Sequence, residues 1–301
     1  MTVSRAAVVL ALMAATPAVA QVEPVLLDSV DVLNFDRPES WAMKYFTSVS
    51  LLTGLGTQKP MDKGSVEIGF EGGLVPALGE EKRRVGFIGS KVEDLNRTSL
   101  FGRARVTFGL AGGVALTLGA TPPVEVNGVT PKLFDLAVGR SLVERPGFRL
   151  GGRVHARSGS IEGDLTCSAD VAGVEDPATN PDDCREPSND EVTQHTVGLE
   201  LSVSPRTQGD RWEPHFAVSA NYMDLEFQVR ARYSRFLDRT RLVTEGWTSS
   251  VSAGLGYRAS DRLRFSGELF YTPLEVVRDP LRGTQNDELV NARVLASYRV
   301  R

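Results

Sequence analysis

The chain has 301 residues, a formal net charge of −4, 41% hydrophobic and 24% charged residues, two cysteines and a mean hydropathy of −0.14. This mild acidity lacks the basic balance expected of a nucleic-acid binder. Beyond the N-terminus no stretch approaches the 18 consecutive apolar residues that mark a transmembrane helix. The chain is therefore either soluble or crosses a membrane as a closed barrel, the other way to satisfy every backbone group.

Residues 1–20 read as an export signal: Arg5 is a short positive region, an apolar run follows from Ala6 to Ala15, and Ala18-Val19-Ala20 has the small-x-small pattern of a cleavage site. Removing them leaves 281 residues (301 minus 20) and a net charge of −5, since Arg5 goes with them. The next hydrophobic stretch, Met43–Leu52, is a candidate strand. Alternatively Trp41, Tyr45, Phe46, Val49 and Leu52 make one face of a short helix.

From there the dominant period is two, the strand signal. Val66, Ile68, Phe70 and Leu74 oppose Glu67, Gly69 and Glu71, and Val85 and Phe87 alternate weakly within Arg84–Gly89. Ala104, Val106, Phe108 and Leu110 oppose Arg103, Arg105 and Thr107. Phe148, Leu150, Val154 and Ala156 oppose Arg149, Arg153, His155 and Arg157. Cys167 and Cys184 then flank an acidic segment, and a disulfide between them fits an exported protein, constraining the unfolded chain by roughly 3 kcal/mol. Asp176, Asn180, Asp182 and Asp183 lack the ordered spacing of a calcium loop, so no metal is expected.

Val197, Leu199, Leu201 and Val203 oppose Thr196, Gly198, Glu200 and Ser202. In 216–232 the apolar phase switches, from Phe216, Val218, Ala220 and Tyr222 to Leu225, Phe227, Val229 and Ala231; an extra residue near Met223-Asp224, a β-bulge, would reconcile the two. Three further segments complete the chain. Trp247, Val251, Ala253, Leu255 and Tyr257 oppose Gly254, Gly256 and Arg258. Leu263, Phe265, Leu269 and Tyr271 oppose Arg262, Arg264, Ser266 and Glu268. Val290, Ala292, Val294, Ala296 and Tyr298 oppose Asn291, Arg293, Ser297 and Arg299.

The polar faces are rich in Gly, Ser, Thr and Arg, whereas the apolar faces are long and often end in an aromatic. That arrangement is the signature of apolar residues toward lipid and polar residues toward a lumen. Links near 111–113, 144–147, 205–211 and 259–261 are tight or moderate and fall on one side. The cysteine loop falls on the other.

With the export signal, strands of about ten residues and a strand at the extreme C-terminus, residues 41–301 resemble the bacterial outer-membrane β-barrel superfamily. The resemblance implies an all-β fold, a single transmembrane antiparallel barrel in the cell outer membrane, with residues 21–40 a periplasmic N-terminal segment. Twelve strands are expected; the alternative is ten, with residues 21–60 periplasmic or plugging the lumen. Partners implied are outer-membrane lipid and the assembly machinery, which in that superfamily reads a terminal aromatic; here Arg301 is terminal.

No HExxH, phosphate loop or GxSxG elbow is present. Lipid-acting hydrolases of this superfamily place a His–Ser pair on the barrel wall, but His155 and Ser158, three apart on a strand, point to opposite faces. Neither enzymatic activity nor a cofactor is expected. The remaining signal is a set of lumen-facing polar residues: Arg103, Arg105, Arg149, Arg153, His155, Arg157, Glu200, Arg258, Arg262, Arg264, Glu268 and Arg293, with Arg230, Arg232 and Glu226 in the same phase. An arginine wall favours anions, so a narrow channel or binding barrel for small anionic or polar solutes is expected. The alternative is a sealed structural or surface-interaction barrel.

Overall fold

Alternation of period two, repeated along the chain, produces ten long strands that pair each with the next. The computed structural model describes residues 24–205 and 211–301; the export signal at 1–20 and most of the link at 205–211 lie outside it. The strands are β1 (Val66–Leu74), β2 (Leu100–Gly109), β3 (Val114–Thr121), β4 (Val129–Glu144), β5 (Phe148–Gly163), β6 (Asp190–Pro205), β7 (Trp212–Gln228), β8 (Arg241–Arg258), β9 (Leu263–Thr272) and β10 (Leu289–Arg299). All pair antiparallel, and β10 returns to β1 with Val294 opposite Gly72, which closes the ring. Val30–Val32 adds an outside strand, parallel to Arg241–Val243 of β8.

The count is ten, not twelve. Met43–Leu52 is not a strand: α1 (Pro38–Val49) occupies most of it, with Pro at its start, Glu39 in its first turn, and Trp41 stacked on Tyr45 one turn later at 5.5 Å. Arg84–Gly89 is not a barrel strand either; Arg84 and Val85 make a two-residue pairing within a loop. Both segments belong to the alternative expectation, ten strands with the N-terminal segment plugging the lumen.

The links at one end of the ring are short: 110–113, 145–147 and 259–262. Gly112 and Gly113, at φ 75° and 70°, make the first of these tight. At the other end lie 75–99, 122–128, 164–189, 229–240 and 273–288, and the cysteine loop is among them. The disulfide joins Cys167 to Cys184 with a Cα–Cα distance of 5.8 Å.

Burial is inverted relative to a soluble sheet protein. Outward-facing Phe134 and Trp247 are each 68% exposed and Leu269 63%, whereas lumen-facing Arg103 and Glu71 are 0% exposed and Arg293 1%. Aromatic pairs bracket the belt: Tyr222 with Trp247 toward the long-loop end, Trp212 with Tyr257 toward the other. Trp247 and Tyr257 are ten residues apart on β8; at about 3.3 Å per residue and a tilt of roughly 40°, they bound about 25 Å of barrel height. That is the height of an apolar membrane band. The chain is therefore a closed, even-stranded antiparallel barrel, apolar outside and lined by charged and polar side chains at mid-height.

The phase switch in β7 has another origin than a bulge. β7 pairs without interruption with β6 and with β8 through Met223 and Asp224. Below that level its apolar residues face outward. Above it, Met223 and Leu225 point inward, both 0% exposed, into a cluster with Met43, Leu165 and Val192. The lumen is thus polar from its middle to the short-turn end and apolar near the long loops. In consequence Glu226 lies on the outer face, bound to Arg241, and Arg230 and Arg232 are exposed in the 229–240 link rather than lining the lumen.

Candidate functional site

The inner path of the chain follows from what α1 lacks. The last carbonyls of a helix have no partner within it, and α1 ends in the barrel interior, where water cannot supply one. Lumen arginines do so instead. Arg293 donates to the Ser48, Val49 and Leu51 carbonyls at 2.9, 3.2 and 2.5 Å, and Asn291 to Val49 at 3.0 Å. Arg157 donates to the Thr47 carbonyl and the Ser50 hydroxyl, and both Arg157 and Arg103 donate to the Ser50 carbonyl. Arg153 reaches Leu52 at 2.9 Å and Arg105 reaches Thr53 at 2.8 Å. These cations also sit at the negative end of the helix dipole.

Carboxylates fix the collar from the wall. Glu71 accepts from Arg105 and lies 3.3 Å from Arg103; Asp135 lies 3.0 Å from Arg103 and 2.9 Å from Arg157; Glu200 lies 2.8 Å from Arg153. Glu268 accepts the Thr53 hydroxyl and stands 3.7 Å from His215. Four of the five guanidiniums therefore pair with Glu71, Asp135 and Glu200, while Arg293 is held by backbone carbonyls and Asn291. Buried charge at this density is tolerable only with such partners.

Below the collar the plug descends toward the short-turn end. Gln58 passes so close to the wall that a side chain at Gly139 or Gly151 would meet it at 2.9 Å, so the glycines of the polar faces make room for it. The lumen then widens into a cavity of about 380 Å³ lined by Gly56, Lys59, Arg153, Arg258, Arg264 and Arg299, among others. Lys59, Arg258 and Arg264 all turn to one carboxylate, Glu213, the two arginines at 3.3 Å. Gly56, at φ 142°, leaves the space into which the Arg264 guanidinium packs.

The residues expected from sequence thus divide into groups. Arg103, Arg105, Arg153, Arg157, Glu200, Glu268 and Arg293 meet at the collar. Arg258 and Arg264 meet in the vestibule, with Arg262 exposed at its rim in the 259–262 turn. Arg149 stands apart, paired with Glu144 at 3.1 Å. His155 is buried against Asn221 at 2.9 Å, while Ser158 lies on the outer face 3.0 Å from His195, so His155 and Ser158 do not meet. Asp176 accepts from the Ala178 amide and the Thr179 hydroxyl of its own turn. Among the described residues no cluster of three or more His, Cys, Asp or Glu side chains is placed to hold a metal ion. Glu213 shares the inward phase of His215 and Asn221 on β7, so the alternation extended toward the preceding turn could have found it. Lys59 carries no periodic signal, and most acceptors of residues 47–53 are backbone carbonyls, which no sequence pattern marks.

No protein-family model matches the chain, and no curated protein sequence does. Among solved structures, an outer membrane channel from Pseudomonas putida F1 is similar at 10% identity and a TM-score of 0.43, over 83% of this chain and all of that one. The outer membrane protease OmpT of Escherichia coli is similar at 11% and 0.39, over 78% and 94%. Ail, the attachment invasion locus protein of Yersinia pestis, is similar at 9% and 0.31, over 79% and 99%. At such scores none of them transfers a residue role or an activity to this chain.

Proposed function

We propose that the protein is an outer-membrane barrel, sealed at mid-height by its own N-terminal segment, that binds a small anionic solute in the vestibule at its short-turn end. The apolar belt and the disposition of the links support the location, with the short turns on the periplasmic side and the cysteine loop outside. The plug supports a resting barrel that does not conduct, since the arginine wall is engaged with residues 47–53 rather than facing open water.

The observation that carries the binding reading is the convergence of Lys59, Arg258 and Arg264 on the single carboxylate of Glu213. Arg105 and Arg153 are already paired to Glu71 and Glu200. Around this cavity Lys59, Arg258, Arg262, Arg264 and Arg299 face Glu67, Asp261 and Glu213, and the two surplus positive charges stand in a walled space where the field is stronger than in open water. Guanidiniums also present paired donors that suit carboxylate and phosphate oxygens. Titration calorimetry with inorganic phosphate at low ionic strength tests the reading. Saturable heat that vanishes in Arg264→Ala, with a silent wild-type barrel in planar bilayers, supports it. A folded barrel that takes up no phosphate leaves the sealed structural barrel as the better reading.

A further inference from the structure

A second cavity, of about 720 Å³, lies at the opposite end of the plug. Its floor is the face of α1 carrying Ala42, Met43 and Phe46. Its walls include Leu165, Val192 and Leu242, and the N-terminal segment around Leu33 covers it. Four of the charged side chains that line it have partners: Glu93 is 2.7 Å from Lys91, Arg37 is 3.5 Å from Glu39, and Asp238 accepts from the Thr240 amide at 2.9 Å. The fifth, Asp31, lies in the exposed Val30–Val32 strand. The volume falls within the range of small-molecule sites, and the lining is mainly apolar.

A neighbouring pocket of about 250 Å³ shares Phe46 and Leu95 with this cavity and leads sideways. Its position follows from strand length. β3 ends at Thr121, opposite Leu133, and its last partner on β2 is Ala104. Above that level Phe101–Arg103 of β2 and Val129–Lys132 of β4 face each other with no strand between them. The pocket fills this gap. It is lined inside by Val49, Phe101 and Leu133, and it emerges outside beside Phe70 and Leu100, which are 57% and 61% exposed on the belt-facing side. The two cavities thus adjoin at Phe46 and Leu95, and the gap above β3 brings the second of them to the outer wall of the barrel.

We propose that the cavity above α1 is a binding site for an uncharged, hydrocarbon-like small molecule, which reaches it from the membrane through the gap above β3. This inference does not rest on the anion vestibule, which lies at the other end of the lumen. Water in so apolar a space has few partners, so an apolar occupant displaces it at little cost.

The test uses the full chain in phosphatidylcholine nanodiscs and the neutral fluorophore N-phenyl-1-naphthylamine, with empty nanodiscs subtracted. Saturable binding is expected, weakened at least tenfold by Ala42→Trp, which fills the cavity from its floor. Val126→Trp, in the exposed 122–128 link at the mouth of the side pocket, is expected to slow association several-fold with little change in affinity. Folding of each variant is checked by its heat-dependent mobility on a denaturing gel. Binding no greater than in empty nanodiscs, or undiminished in a folded Ala42→Trp protein, overturns the site. Loss of binding in Ala42→Trp with unchanged association in Val126→Trp overturns the lateral route. If Ala42→Trp does not fold, Leu242→Asn replaces it, and undiminished binding there overturns the site equally.

Discussion

Replacing Arg157 by alanine tests whether the collar holds the plug. Arg157 is 3% exposed; it is 2.9 Å from Asp135 and donates to the Thr47 carbonyl, the Ser50 carbonyl and the Ser50 hydroxyl. Removing one partner of a buried ion pair costs about 3–5 kcal/mol, because the other is left desolvated and uncompensated. Asp135 keeps Arg103 at 3.0 Å, which places the expected loss toward the lower figure. At roughly 2–4 °C per kcal/mol for a chain of this size, the unfolding midpoint falls by about 6–12 °C. The natural control is Arg149→Ala. That residue also faces a carboxylate, Glu144 at 3.1 Å, but the two side chains are 19% and 39% exposed, and pairs of that kind contribute under about 1 kcal/mol. The assay is the temperature at which the folded band is lost on a denaturing gel, for both variants in the same lipid. Equal shifts, or a shift under about 2 °C for Arg157→Ala, would refute the account of the collar.

Three further outcomes are expected. Glu93, in the 75–99 link, has its carboxyl raised from 4.5 to about 7 by burial, against the pull of Lys91. Because the folded value exceeds the unfolded one, its contribution to stability is complete below about pH 4.5 and lost as the pH rises through about 7. Hydrogen exchange of residues 83–95, corrected for the intrinsic rate, should therefore be better protected at pH 5 than at pH 8, and Glu93→Gln should flatten the difference. Replacing Cys167 and Cys184 by serine removes a constraint worth roughly 3 kcal/mol on the 164–189 link; proteolytic nicking there should accelerate while the unfolding midpoint of the barrel moves little. Gly151→Val places a side chain against Gln58, so cross-linking between cysteines introduced at residues 58 and 139 should drop; unchanged cross-linking would mean that the plug does not run past this wall.

Period-two alternation is a local property, so the amino-acid sequence by itself marked all ten barrel strands, the side each residue faces on most of them, and the end to which the cysteine loop belongs, but it also offered 43–52 and 84–89 as two strands more. The same alternation marks Arg103, Arg153, Arg157 and Arg293 as lumen residues, because a charged side chain in a wall strand has only one face on which it can be partnered. What those arginines hold was decided by tertiary structure. Their acceptors are carbonyls at the end of α1, and a backbone carbonyl is the same group in every residue. The 43–52 segment is apolar enough to fit a strand; it is a helix because the ring is already closed without it and the lumen offers donors to its C-terminal end. The two phases of β7 likewise read as a bulge until α1 and the N-terminal segment are seen to make the upper lumen apolar. The gap above β3 depends on the lengths of three strands at once. That comparison exists only when they stand side by side.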